Sequence, residues 1–137
     1  MTTNELVTKN KDMLFKSLEY LDYSYKKVVK LKFDTTDFEE LETWECFMAR
    51  FARSIDIFIS KYLRSRVLFE EPGYRGSLRD FLNTAEKLGF IEDSLHWIEL
   101  KEIRNMQAHE YTETKLAKFF KLALEKAPSV LNLKDSL

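Results

Sequence analysis

The sequence predicts an all-α fold, an up-and-down bundle of four to five helices forming one domain over residues 1–137. Three observations carry that prediction. Glycine and proline are scarce, at three and two residues, while 45% of the chain is hydrophobic and 33% charged. This leaves few turn formers for a β fold and suits long amphipathic helices. Apolar residues recur at intervals of three and four through most of the chain, the period of a helix with one buried face. The breaks in that pattern are short, so neighbouring helices are expected to run antiparallel.

Composition also narrows function. A net charge of −1 and a pI near 6.2 provide no global positive field to draw the protein onto nucleic acid or membrane, so any such contact must be local. The single cysteine, Cys46, permits neither a disulfide framework nor a cysteine-based zinc site within one chain, and its apolar helical setting predicts a buried reduced thiol. The start Met1-Thr2-Thr3-Asn4-Glu5 lacks a basic segment followed by an apolar run, and no apolar stretch approaches the roughly 18 residues of a membrane span. A cytoplasmic protein without membrane contact is expected.

From about Asn4 to Lys32, Leu14, Leu18, Leu21, Tyr25 and Val28 give the first helix one buried stripe. Lys9, Lys11, Lys16, Lys26, Lys27 and Lys30 form its solvated face. Asp34-Thr35-Thr36 breaks the pattern, and Thr36 with Glu39 three residues on reads as a capping box opening a second helix. The acidic start of that helix, Asp37, Glu39, Glu40, Glu42 and Glu45, suits the positive end of a helix dipole better than it suits a metal, because no histidine or ligand loop accompanies it. Leu41, Trp44, Met48, Phe51, Ile55, Phe58, Ile59 and Tyr62 then keep helical spacing as a core stripe. Phe47 lies outside that stripe and is a candidate for a second, intersubunit contact.

Glu70-Glu71-Pro72-Gly73-Tyr74-Arg75-Gly76 is the chain's one Pro/Gly cluster and predicts a loop. Ser77 with Asp80 caps a short third helix over Ser77 to Leu88, with Gly89 at the left-handed C-terminal position. Asp93 or Ser94 opens a fourth helix with a buried stripe of Leu95, Ile98, Leu100, Ile103 and Met106. After a break at Thr112-Glu113-Thr114, a last helix carries Leu116, Phe119, Phe120, Leu122, Ala123 and Ala127 and ends before Pro128, leaving a loosely held tail over 129–137.

The fourth helix ends in Ile103-Arg104-Asn105-Met106-Gln107-Ala108-His109-Glu110-Tyr111, where chemically capable residues crowd onto an otherwise apolar pattern. In a regular helix Arg104 and His109 diverge by about 140°, whereas Arg104 and Tyr111 share a face. One copy cannot easily aim both Arg104 and His109 at one reacting atom, but two copies about a two-fold axis can pool them in one cleft. Elsewhere such residues are most often a snorkelling surface cation and a hydrogen-bonded imidazole. His96, thirteen residues earlier, reads as a surface or packing residue. A Gly-rich phosphate loop, paired Glu-x-x-His, a Gly-x-Ser-x-Gly elbow and a Cys/His cluster are all missing from the sequence. What remains suits metal-free RNA cleavage, which needs groups to take the 2′-hydroxyl proton and to protonate the leaving oxygen, and cations for the phosphorane-like transition state.

Arg104-Asn105-Met106-Gln107-Ala108-His109-Glu110-Tyr111 resembles the Arg-x4-His-x-Tyr motif of HepT-like proteins in the HEPN superfamily, with the polar residue after Arg that HEPN ribonucleases carry. Pro72-Gly73-Tyr74-Arg75 and the stretch from Phe81 to Ile91 resemble the same family segment in order, so the likeness covers about Arg50 to Tyr111. The resemblance implies a two-fold homodimer and an endoribonuclease toxin of a HEPN/MNT-type toxin–antitoxin pair, with Arg104, Asn105 and His109 as catalytic residues and no cofactor or metal. It also implies an antitoxin partner, a minimal nucleotidyltransferase of the MNT type, that adenylylates Tyr111. Other relatives imply the alternative of a non-catalytic companion that binds substrate for such a nucleotidyltransferase. The first helix and the acidic start of the second match no family feature.

Overall fold

The computed structural model describes residues 1–107 and 113–137, and among these every regular element is helical. Helix α1 (Thr3–Val28) starts at Thr2, whose hydroxyl accepts from the Glu5 amide. Helix α2 (Phe38–Asp56) passes without a break through a π-helical segment (Ile57–Leu63) into α3 (Arg64–Glu70). Then come α4 (Leu78–Lys87), α5 (Ser94–Gln107), α6 (Glu113–Leu131) and the short α7 (Leu133–Ser136).

The long rod from α2 to α3 is the spine. Helix α1 lies along all three of its parts, α6 covers α1 and α2, and α5 packs on α2 while leaning on α4 and α6. One apolar core draws on every one of these helices: Leu14, Leu18 and Leu21 from α1, Trp44, Phe51 and Ile55 from α2, and Leu100 and Phe120 from α5 and α6. The rings of Trp44 and Phe120 stack face to face, with centroids 4.8 Å apart and planes 5° from parallel. Trp44 also donates its indole N–H to the Lys32 carbonyl at 3.0 Å, pinning the connection after α1.

Where α1 meets α2 the contact is polar as well as apolar, and each buried hydroxyl has a partner, as burial demands. Ser17 Oγ donates to the Leu14 carbonyl at 2.7 Å, and Ser54 Oγ lies 3.2 Å from Ser17 Oγ. In the π-helical segment, whose wider turn often accompanies a functional site, buried Asn10 of α1 donates to the Lys61 carbonyl at 3.1 Å. Ile57, Phe58, Ile59, Tyr62 and Leu63 are all buried there, because α1 packs along the segment and Trp97 of α5 packs against Phe58.

The same enclosure corrects the assignment of Phe47. It is fully buried, tilted against Tyr25 and Phe51 and edge-on to Trp44, so it belongs to the core and not to an intersubunit contact. Cys46 is exposed, not buried: its sulfur sits at the margin of the α1–α2 seam, 3.9 Å from Ser24 Oγ of α1. The second helix is capped by Asp37, which accepts from the Glu40 amide at 3.0 Å, one residue later than the expected Thr36.

Helix α4 has the expected ends. Ser77 Oγ accepts from the Asp80 amide at 3.1 Å and the Asp80 carboxylate accepts from the Ser77 amide at 3.3 Å, a reciprocal capping box. Gly89 takes φ +80°, its amide donates to Glu86 and that of Phe90 to Ala85, the paired closing bonds of a left-handed C-terminal cap. On α5 the buried stripe is Trp97, Leu100 and Ile103, whereas Leu95 and Met106 are 64% and 46% exposed. Trp97 draws the helix face toward itself, its ring 4.5 Å from that of Phe58.

At the C-terminal end, α6 runs through Pro128 to Leu131, and the following residues are held, not loose. Proline costs a helix one hydrogen bond and a steric clash. Here Ala123, Ala127, Val130 and Leu133 continue one buried stripe across it, and their packing outweighs the loss. The break expected at Thr112-Glu113-Thr114 begins outside the described residues, and α6 starts at Glu113.

Candidate functional site

Asp56 closes α2 immediately before the π-helical segment, and its carboxylate gathers two cations from α5. Lys101 Nζ reaches Asp56 Oδ1 at 2.8 Å. The Nε–H of Arg104 is shared between Oδ1 at 3.0 Å and Oδ2 at 2.8 Å. Lys101 and Arg104 are three apart on one helix face, so one anion between them offsets a like-charge neighbourhood. All three side chains are partly exposed, at 19% for Lys101, 30% for Arg104 and 33% for Asp56.

The way Arg104 is held matters chemically. Asp56 uses only Nε, so the two terminal nitrogens keep their four N–H donors without a hydrogen-bond partner among the described residues. A guanidinium fixed at its inner nitrogen and open at its outer edge presents a planar fork suited to the oxygens of a phosphate.

Asn105 is exposed and makes no hydrogen bond among the described residues. His109 and Tyr111, the other two candidate residues, lie outside the described residues. His96 is a packing residue, as its position implies. Its Nε2 lies 2.9 Å from Ser129 Oγ and its ring is edge-on to Trp97. Ser129 gives its own hydrogen to the Lys126 carbonyl at 2.7 Å, so in the neutral ring Nε2 is the donor. That bond ties α5 to α6.

Asp56 is the residue that sequence reasoning missed. A signal was present: between Phe47 and Phe69 it is the only acidic residue, set between Ile55 and Ile57 on a core-forming helix. An acid in that setting needs a cation, and only the tertiary fold shows that the cations come from α5.

No helix of the described residues is long and apolar enough to cross a membrane. No family model, no curated protein and no solved structure matches the chain.

Proposed function

We propose that the protein is a metal-independent endoribonuclease, the toxin of a HEPN/MNT-type toxin–antitoxin pair, acting as a homodimer in which Arg104, Asn105 and His109 line a composite cleft. The observation that supports it is the clamp on Arg104: Asp56 orients the guanidinium through Nε, and its phosphate-binding edge has no hydrogen-bond partner among the described residues.

In this reading the RNA 2′-oxygen attacks the adjacent phosphorus while His109 of one subunit takes its proton. The bond from phosphorus to the 5′-oxygen breaks, and the histidine of the second subunit supplies the proton that this oxygen acquires. Arg104 meets the charge that grows on the non-bridging oxygens, where an oriented donor contributes most. Asn105, exposed and without a hydrogen bond among the described residues, is available to hydrogen-bond the strand. The products are a 2′,3′-cyclic phosphate and a 5′-hydroxyl. Asp56 is a positioning residue for Arg104. The MNT-type nucleotidyltransferase acts as antitoxin by placing AMP on Tyr111, adding an anion that competes for Arg104 and fills the cleft.

The test is incubation of the purified protein with total RNA in EDTA. Shortened RNA carrying cyclic phosphate ends is expected. RNA left intact by the protein purified alone and unmodified, together with tight binding of a nucleotidyltransferase in a separate assay, would instead favour the non-catalytic companion.

A further inference from the structure

A second cationic feature lies beyond Asp56 on the same spine. Arg64 and Leu68 of α3, Tyr74, Arg75 and Gly76 of the following loop, and Phe81 of α4 line a cleft of about 210 Å³. A space of that volume is about 6 Å on a side, too small for a drug-sized ligand and about the size of a phosphoryl group with part of its attached sugar.

The donors that face it are unspent. Arg64 stands over the Phe81 ring at 5.8 Å from its centroid, and neither Arg64 nor Arg75 has an ion pair or hydrogen bond among the described residues. This is so although Glu70, Glu71 and Asp80 are close in sequence. The Asp80 carboxylate is committed to the Ser77 amide. The Tyr74 hydroxyl likewise has no hydrogen-bond partner among the described residues. It is seated over Gly76, where a Cβ would stand only 2.7 Å from Tyr74 Oη, so glycine is what lets the phenol lie down beside the cleft. Phe81, 6.4 Å from the Tyr74 ring, provides an apolar wall that strengthens charge interactions by excluding water.

We propose that Arg64, Arg75 and the Tyr74 hydroxyl form an oxyanion site that holds a phosphoryl group of single-stranded RNA. Two guanidinium forks, which only donate, and a phenol whose O–H can donate suit the acceptor oxygens of a fully ionised phosphodiester. Arg64 follows Asp56 by eight residues on the continuous spine, at most about 12 Å because the wider π-helical turns between them rise less per residue than an α-helix, within reach of one short strand. That such a strand continues into the Arg104 cleft rests on the ribonuclease reading; the affinity of the site for phosphate does not.

The test uses a short 2′-O-methyl oligouridine, which cannot be cut by 2′-oxygen attack, in 5′-hydroxyl and 5′-phosphate forms. Binding is followed by fluorescence anisotropy between about 50 and 200 mM salt. The double variant Arg64→Gln/Arg75→Gln is expected to lose about tenfold or more in affinity and to flatten the salt dependence by about 0.7 per cation removed. Tyr74→Phe should lose a smaller factor. Arg79→Gln, which removes an exposed charge outside the cleft, should stay within about twofold. A loss seen with both oligonucleotides assigns an internal phosphate to the site, and a loss confined to the 5′-phosphate form assigns a terminal one. Equal losses for the double variant and for a pair of exposed substitutions outside the cleft, Lys30→Gln/Arg53→Gln, would overturn the proposal. So would binding by the double variant within twofold of the unaltered protein. An unaltered cleavage rate in either case would speak to Arg104 alone, so the two readings fail separately.

Discussion

Arg104 is held to Asp56 through its inner nitrogen, with both carboxylate oxygens within 3.0 Å of Nε, while its outer edge has no hydrogen-bond partner among the described residues. A helix-borne cation is thereby aimed by a residue that lies 48 positions earlier in the chain.

Asp56→Asn keeps the shape and removes the charge that orients Arg104. RNA cleavage should fall about 100-fold through kcat, the scale expected for a misplacement of about 1 Å. KM should change less, and Asp56→Glu should restore part of the rate. Because the pair is about one-third exposed, the stability change should stay near or below about 1 kcal/mol, a melting shift of a few degrees. A variant that cleaves RNA at the unaltered rate would remove the positioning role.

Arg104→Ala and His109→Ala should each abolish cleavage and growth arrest. The Arg104 variant should melt within a few degrees of the unaltered protein, since no core packing is lost. Light scattering should give twice the 16.3 kDa chain mass. A monodisperse monomer at micromolar concentration would sink the two-subunit cleft.

Tyr111 should gain one or more AMP units, read by intact-mass spectrometry, when the protein is produced with an MNT-type nucleotidyltransferase. The gain should vanish in Tyr111→Phe, and the modified protein should be silent as a nuclease but still folded. Inhibition by an unmodified, stoichiometric complex would refute this mode of control.

Phe120→Ala should cost about 3–5 kcal/mol in chemical denaturation, because it empties a fully enclosed site against the Trp44 ring. The loss should appear in the denaturation midpoint with the slope unchanged. A cost below about 1 kcal/mol would show that α6 repacks and that the stacked pair is not central to the core.

The sequence by itself determined the helices, because periodicity, caps and breakers are local properties. Ser77 and Asp80 with Gly89 marked both ends of α4 to within a residue, since each acts on backbone groups a few positions away. Of the polar motif that it offered as a site, Arg104 and Asn105 lie on α5, and His109 and Tyr111 lie outside the described residues. What only the tertiary structure decided was which faces are covered. Phe47 is core and Cys46 is exposed because α1 and α6 flank α2 on particular sides, which no single-helix pattern encodes. Pro128 stays inside α6 because buried side chains on both sides of it outweigh a local backbone penalty. The pairing of Asp56 with Arg104 belongs to the same class. A carboxylate on one helix and a guanidinium on another become a site only when the packing of α5 on α2 brings them within hydrogen-bond distance.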